Sequence, residues 1–585
     1  AIAVLLAVAA LAVVCECRCG GPLQMERDLM AVFGDGELYA RLKDEVDYFQ
    51  NGIPSKLNVT SINIPARDGV QLYTILTFPE GFGPDSSTSL PIILDRTPYG
   101  AKNWEPILTA MFTRQQYITA TQDFRGCFNS TGEFSFWRFA SRDGYDSINY
   151  LSTLPYSNGQ VLAFGLSADG IAGTFEEQHH PTPPNLLGQG LMVHSGDAYK
   201  SSFPNGAYRE SLMSSWLDGQ LEREWIDKVL AQEDYGPWWH PIDLSRDWNN
   251  TSVPAFHLGG WYDIFVQGTL DAFNYTQHEG GQGAKGLQKL YINPWGHCGG
   301  GDYGYNSSKN AWFMQESYSL FAELTGNQAA LEVDLPLLGG ARVVPWDSWS
   351  TIIMYMMGPD PDYFAAGDVG NMWTCMEEFP ETTNMPLFFT PDGVLQSEPT
   401  TTTPTNSSFV YDPTNPVPTN GGNNLFMTCG PRDQIVAEDR PDVLSFSSEP
   451  LTAPLVVFGD VTVTLFVASS ANDTDFSGML ADVYDGHAYN VMDHIVRMRW
   501  RNSYYKGPQP ELMEPYTVYE VSLDLQSTFY VFNPGHVIRL YISSSNYPRF
   551  STNLNNGNNV LEGGNPVIAT NFVFHTADQP SALNL

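Results

Sequence analysis

Ser167 sits in Gly165-Leu166-Ser167-Ala168-Asp169-Gly170, between the strand-like Gln160-Val161-Leu162-Ala163-Phe164 and a helix-like run. A serine on such a turn projects its Oγ from the end of a strand, and small neighbours let strand and helix approach. That placement suits a nucleophile for acyl transfer. The glycine spacing is Gly-x-Ser-x-x-Gly rather than the commoner Gly-x-Ser-x-Gly, so the hexapeptide alone also fits a plain glycine-rich turn. A nucleophilic serine needs a base to take its proton and an acid to orient that base. On a parallel sheet these follow as Asp/Glu and then His, past the C-terminal ends of later strands.

Two positions fit. Asp263 follows the strand-like Val253–Leu258 in Gly259-Gly260-Trp261-Tyr262-Asp263, and His297 follows Gln288–Ile292 in Asn293-Pro294-Trp295-Gly296-His297. Other histidines serve worse. His179 and His180 lie on the helix after Ser167, His194 comes too early, and His487, His494, His536 and His575 fall in a β-rich region. By spacing alone, ordinary loop and surface residues remain an equal alternative. An oxyanion needs donors. The Ala168 N–H is one by geometry. The Tyr99 phenol, in Arg96-Thr97-Pro98-Tyr99-Gly100, is a second candidate, with a buried loop tyrosine as the plainer reading. No His/Cys pair has zinc-site spacing, and the sequence calls for no cofactor and no metal.

These residues must be positioned by alternating strands and helices. Strand-like runs occur at Ser61–Pro65, Val70–Phe78, Leu90–Leu94, Tyr117–Thr121, Val161–Phe164 and Gly188–Val193. Asp143 to Leu154 reads as an amphipathic helix, with Tyr145, Ile148 and Leu151 at three-residue steps. The alternation predicts a mostly parallel sheet covered by helices. Residues 201–250 are Trp-rich and helical, which suggests an inserted cap. Between His297 and about residue 385 a charged helix and irregular connections are expected. Pro399–Pro418 is Thr/Pro/Asn-rich and linker-like. Val461–Val467 alternates at period two and Val537–Ile542 is a dense β run, so a β-sandwich of jelly-roll type follows. The expected fold class is thus α/β plus all-β. The expected division is a signal peptide at 1–19, the α/β core at 20–200, a helical cap at 201–250, the rest of the core at 251–385 and the β domain at 386–585.

Composition bounds the function. The 585 residues include 29 Lys and Arg against 65 Asp and Glu, a net charge of -36. That argues against nucleic acid and against anionic membranes, both of which need basic surface. The apolar run Ala1–Val14 is too short to span a bilayer and fits a signal-peptide core that has lost its charged start. Of seven cysteines, Cys15, Cys17 and Cys19 lie near the presumed cleavage site. Cys127, Cys298, Cys375 and Cys429 allow one or two disulfides in an oxidising compartment, with Cys298 favoured as bridged. Sequons at Asn58, Asn129, Asn249, Asn250, Asn274, Asn306, Asn406 and Asn472 add mild support for a secreted glycoprotein. Oligomeric state is not legible.

Several motifs resemble the CocE/NonD hydrolases, the cocaine-esterase-like branch of the prolyl dipeptidyl-peptidase clan. They are Ala66-Arg67-Asp68-Gly69-Val70, Arg96-Thr97-Pro98-Tyr99-Gly100, Gln122-Asp123-Phe124-Arg125-Gly126, Gly165-x-Ser167, Gly260-Trp261-Tyr262-Asp263 and Pro294-Trp295-Gly296-His297. Asp473-Thr474-Asp475-Phe476 and Ser545-Asn546-Tyr547-Pro548-Arg549-Phe550 continue the likeness, which covers roughly residues 55–565. The resemblance implies an α/β-hydrolase core with a helical cap and a jelly-roll domain. It implies Ser167 as nucleophile, Asp263 as orienting acid, His297 as base, and Tyr99 with the Ala168 N–H as the oxyanion hole. One departure is Ala168, where that family usually has Tyr. The backbone donor survives, but the wall beside the nucleophile changes.

Family members cleave esters or amides, and those handling a free α-amine place acidic residues just after the catalytic Asp. Here Ile264 and Phe265 follow Asp263. A bulky neutral acyl group in a pocket lined by Phe265, Trp216, Leu425 and Phe426 is expected, each of the four being equally readable as ordinary core. Asp169 and the pair Glu176–Glu177 are read as solvated helix surface. The expected activity is a secreted serine esterase or amidase on a small-molecule substrate. An X-Pro dipeptidyl-peptidase and a non-catalytic binding protein using its β-sandwich are the alternatives.

Overall fold

A computed structural model describes residues 57–176, 181–220, 223–298, 312–327, 345–400, 406–502 and 509–585. The expected signal peptide at 1–19, and Glu177, His179, His180 and Asn306, lie outside the described residues.

The first half is built on a ten-stranded sheet in the order β1-β2-β4-β3-β5-β6-β7-β8-β9-β10. Its strands are β1 (Val59–Pro65), β2 (Gln71–Thr77), β3 (Leu90–Thr97), β4 (Ile118–Asp123), β5 (Ser157–Leu166), β6 (Leu186–Met192), β7 (Ala255–Tyr262), β8 (Gln288–Gly296), β9 (Ile352–Met356) and β10 (Met372–Met376). Neighbours from β4 to β9 pair in parallel, and the outer pairs are antiparallel. Helices α1 (Ala101–Phe112), α2 (Ala140–Ser152) and α3 (Ala168–Glu176) follow β3, β4 and β5. A parallel sheet covered on both faces has strands buried throughout, and every residue of β7 is buried. In α2 the buried stripe is Ala140, Asp143, Gly144, Ser147, Ile148 and Leu151. Asp143 tolerates that place because Arg125 holds its carboxylate at 2.5 and 2.7 Å.

Between β6 and β7 run α4 (Ala198–Ser202), α5 (Glu210–Gln220) and α6 (Glu224–Leu230) with short 3-10 turns. Helix α7 (Val266–Glu279) joins β7 to β8, and α8 (Trp312–Thr325) precedes β9. The irregular connection expected up to residue 385 therefore contains two strands of the main sheet. Ile352–Met356 is too short and too uniformly apolar to declare its period, and it becomes a strand by pairing with β8 at Leu290, Tyr291 and Ile292.

The second half packs an eight-stranded sheet against a four-stranded one ordered β14-β19-β16-β17. The larger sheet holds β11 (Pro386–Phe389), β12 (Leu395–Gln396), β13 (Asn406–Tyr411), β15 (Leu455–Ser469), β18 (Tyr519–Phe532), β20 (Ala569–Thr576), β21 (Gln579–Pro580) and β22 (Ala582–Asn584). The smaller comprises β14 (Leu444–Ser447), β16 (Asp475–Tyr484), β17 (His487–Arg497) and β19 (Val537–Ser543). Strand β13 corrects the linker reading of 399–418. Asn406 to Tyr411 bury Phe409 and Tyr411 by pairing with β20, which overrides a composition that looked loop-like. A large apolar cluster joins the halves: Trp261, Tyr262, Leu290 and Met354 pack with Val463, Leu523 and Tyr530. Among the described residues, no helix is long and apolar enough to cross a membrane.

Candidate active site

The turn from β5 into α3 holds Ser167 in the left-handed region, at φ 59°. The glycines are required by contact. A Cβ on Gly165 would lie 2.4 Å from the Asp169 carbonyl oxygen, and one on Gly170 would lie 2.9 Å from that of Met192. The Gly-x-Ser-x-x-Gly spacing thus lets α3 close onto both β5 and β6. Ser167 N–H donates to Met192 O at 2.9 Å, which fixes the turn against β6.

Asp263 and His297 arrive from the ends of β7 and β8. The Ser167 Oγ lies 3.0 Å from His297 Nε2, and His297 Nδ1 lies 2.6 Å from Asp263 Oδ2. An ionised carboxylate only accepts hydrogen bonds, so Nδ1 carries a proton and Nε2 is left to accept from the serine. Asp263 is fixed in turn, since its Oδ1 accepts from the Phe265 N–H at 2.7 Å. All three side chains belong to buried residues. The Phe265 ring stands edge-on to the His297 ring, 5.7 Å away at 88°.

Tyr99 enters from the segment between β3 and α1. Its hydroxyl accepts from Trp216 Nε1–H at 3.1 Å, which leaves the phenolic proton to be donated. Burial, and next the negative charge of Asp169, push its pKa well above the ordinary phenol value, while hydrogen bonds to Trp216 and Ser167 pull the other way. Tyr99 is therefore a neutral donor at physiological pH. The Ala168 N–H opens the first turn of α3, where helix amides have no partner within the helix.

A small cavity of about 40 Å³ adjoins Ser167. Phe265, Trp216 and Leu425 line it, together with Tyr99, Ala168 and Phe136. Phe426 packs in the same apolar cluster without lining the cavity. Trp216 stacks on Trp137 with ring centres 4.9 Å apart, so its face is set from behind. No carboxylate lines this cavity. Beyond Ile264 and Phe265 lies a larger one of about 570 Å³, bordered by Asp197, Asp271, Asp460 and Asp524 with Lys200 and Arg209.

Two expectations are corrected. Asp169 and Glu176 are buried, because α3 is covered on every side and each of its residues is buried. Both Asp169 oxygens lack a hydrogen-bond partner, as does Asp95 Oδ1 on β3. Burial, and next the charge of Asp95, raise the Asp169 carboxyl well above the usual range. Burial raises Asp95 likewise, so each carboxyl binds a proton more readily in the fold than in water. Glu176 lies 3.4 Å from Arg96, yet burial still pushes it up to about 7.

The sequence reading missed Asn423. Its Nδ2 donates to the Asp263 carbonyl at 3.0 Å. The glycine pair Gly421-Gly422 beside it, both at positive φ, is the available signal of a tight turn. Cys298, next to His297, is bonded to Cys429. Cys298–Cys429 is the one bridge among the described cysteines. No group of histidine, cysteine and carboxylate side chains among the described residues could hold a metal ion.

Comparison with known proteins agrees with this architecture. The model of the X-Pro dipeptidyl-peptidase (S15 family) matches residues 68–225 and 218–299, and that of the X-Pro dipeptidyl-peptidase C-terminal non-catalytic domain matches 346–584. The chain is 29% identical to the cocaine esterase of Rhodococcus sp. (strain MB1 Bresler) over 567 residues, covering 85% of this chain and 92% of that protein. Among solved structures, an α-amino acid ester hydrolase superposes with a TM-score of 0.73 at 22% identity, covering 90% of this chain and 96% of the other. A CocE/NonD family hydrolase from Staphylococcus aureus gives 0.66 at 14% identity, covering 91% and 97%.

Proposed function

From the premise that this chain belongs to the CocE/NonD, X-Pro dipeptidyl-peptidase-like family of serine hydrolases, we propose that Ser167, His297 and Asp263 cleave carboxylic esters or amides of a neutral acyl group. The observation that carries this reading is the unbroken hydrogen-bonded line from Ser167 Oγ through His297 to Asp263, beside an apolar cavity. His297 Nε2 takes the serine proton as Oγ attacks the acyl carbon, while Asp263 holds the imidazolium that forms. Tyr99 O–H and Ala168 N–H receive the oxyanion. The proton passes to the leaving group, and water then releases the acyl group from Ser167.

In this reading the helices at 201–250 cap the site, the α/β core comprises 20–200 and 251–385, and 386–585 is a jelly-roll domain. The aromatic wall of Trp216, Phe265 and Leu425 contacts the acyl group, with Phe426 supporting it. A bulky acyl group needs that wall to yield, since the cavity itself is small. The disulfide and the sequons support export from the cell. The substrate is a small molecule, not nucleic acid.

One observation favours a second reading, in which the substrate carries a free amine as in a dipeptidyl-peptidase. The larger cavity beyond Phe265 brings Asp271, Asp460 and Asp524 to its border. Hydrolysis of an acetyl-to-benzoyl ester series and an X-Pro amide separates the two. The first reading expects ester turnover abolished by Ser167→Ala, with rates falling as the acyl group outgrows the cavity. Turnover that survives in Ser167→Ala overturns the nucleophile, and a strong preference for the X-Pro amide selects the second reading.

A further inference from the structure

The acid and base of the triad are each attached to one short segment of the β domain. Asn423 Nδ2 donates to the Asp263 carbonyl at 3.0 Å. Six residues further on, Cys429 is bonded to Cys298, the neighbour of His297. Between them Leu425 lines the cavity at Ser167.

This segment is stiff. Gly422 and Gly430 exchange backbone hydrogen bonds at 2.7 and 2.9 Å, closing residues 422–430 into a ring. Asn424 Nδ2 ties that ring internally through the carbonyls of Gly421 and Thr428, at 2.7 and 2.8 Å. A side chain at Gly422 would meet Asp493 Oδ1 at 2.6 Å, so the ring sits hard against β17. Asp493 is itself held by Arg549 at 2.5 Å.

We propose that residues 421–430 act as a strap that positions the triad, with Asn423 holding the Asp263 loop and the Cys298–Cys429 bond holding the His297 loop, so that hydrolysis is lowered by thiol reduction. The proposal rests on the Ser167–His297–Asp263 reading. Asp263 and His297 stand on separate strands, and their loops are joined covalently only through a long stretch of chain. The strap adds a second, short route between them through the β domain. Loss of either attachment frees one partner of a 2.6 Å hydrogen bond, and small misplacements of catalytic groups cost rate steeply. Cys298 is exposed, so a reductant can reach the bond. A dithiol supplies the two electrons and two protons that convert the bridge into two thiols, and leaves as a cyclic disulfide.

The test measures kcat and KM for a phenyl ester on the full chain, oxidised and after dithiothreitol, in the parent, Cys298→Ser/Cys429→Ser and Asn423→Ala. Reduction is expected to lower kcat at least about tenfold, with KM changed less than about threefold. The double cysteine variant should start at that lowered kcat and ignore the reductant. Asn423→Ala, with its disulfide intact, should lose kcat in the same manner. The rate at which a neutral fluorophosphonate labels Ser167 should fall in parallel, a readout that loss of stability alone does not move while circular dichroism shows a folded protein. Unchanged kcat in reduced parent and in Asn423→Ala overturns the strap. Ester turnover surviving in Ser167→Ala overturns the triad reading instead, so the two failures are distinguishable.

Discussion

Tyr99 and Asp169 show how one residue's surroundings assign its chemistry. Trp216 occupies the acceptor side of the Tyr99 hydroxyl and burial keeps the phenol neutral, so its proton is directed at the site. In the proposed mechanism Tyr99→Phe removes one of two oxyanion donors, and it is expected to lower kcat about 10²- to 10³-fold. Steady-state kinetics on the ester series check this, and a loss confined to KM contradicts it. Asp169 is governed by the opposite need. Its carboxyl binds a proton more tightly folded than unfolded, because burial and Asp95 oppose its charge. Such a group stabilises fully below the ordinary aspartate range and loses that contribution as pH rises toward its folded value. Asp169→Asn should therefore raise the unfolding temperature, by a few degrees, and more at pH 8 than at pH 5. A gap that is constant or reversed between those pH values counts against a raised Asp169 carboxyl. The meeting of Ser167, Asp263 and His297 was legible because each carries a strand-end position in the sequence. The burial of Asp169 was not, because nothing within Ala168–Glu176 signals that both faces of the helix are covered.

At the scale of elements, strands set the site and a polar chain locks them together. Thr174 of α3, His194 beyond β6, His257 of β7 and Gln288 of β8 are linked at 2.8, 3.0 and 3.0 Å. Gln288 Nε2 donates to two carbonyls, so its Oε1 accepts from His257 Nε2–H. His257 Nδ1 then accepts from His194 Nε2–H. A proton added to His257 Nδ1 sets two donors face to face. Burial pushes His257 down to about 4 and His194 well below the ordinary histidine value. A depressed histidine is neutral in the fold and charged in the unfolded chain at mildly acid pH. Its stability is complete above about 6.5 and is lost as pH falls toward 4, by as much as about 3 kcal/mol for His257. In thermal unfolding at pH 7.5 and pH 5, His257→Gln should lose less stability on acidification than the parent. An equal loss places the acid sensitivity elsewhere. Elements with a strong period were readable in advance, among them β5, α2 and β15. Strands β9, β10 and β13 were not, since they become strands through partners distant in sequence: β9 through β8, β10 through β9, and β13 through β20.

For the whole molecule, the relation between the two halves follows from what crosses between them. Trp261 and Tyr262 end the strand that delivers Asp263, yet both are buried in the cluster that contains Val463, Leu523 and Tyr530 of the sandwich. Tyr262 O–H donates to Asn490 O at 3.0 Å, and Trp500 Nε1–H of the β domain donates to Glu233 Oε1 at 3.0 Å. Arg209, from the insertion, donates to Ile264 O at 2.6 Å and to Asn423 O at 3.5 Å, so insertion, sheet and sandwich meet beside Asp263. A cut near residue 386 exposes this apolar surface and leaves buried polar groups without partners, which costs more than marginal stability allows. Residues 57–385 expressed alone are therefore expected to be insoluble or inactive on any ester the full chain cleaves. The intact protein should show both halves melting together in calorimetry, with loss of ester turnover at the same temperature. Two resolved transitions, with activity surviving the first, contradict this, because the β domain then unfolds without disturbing the loop that carries Asp263.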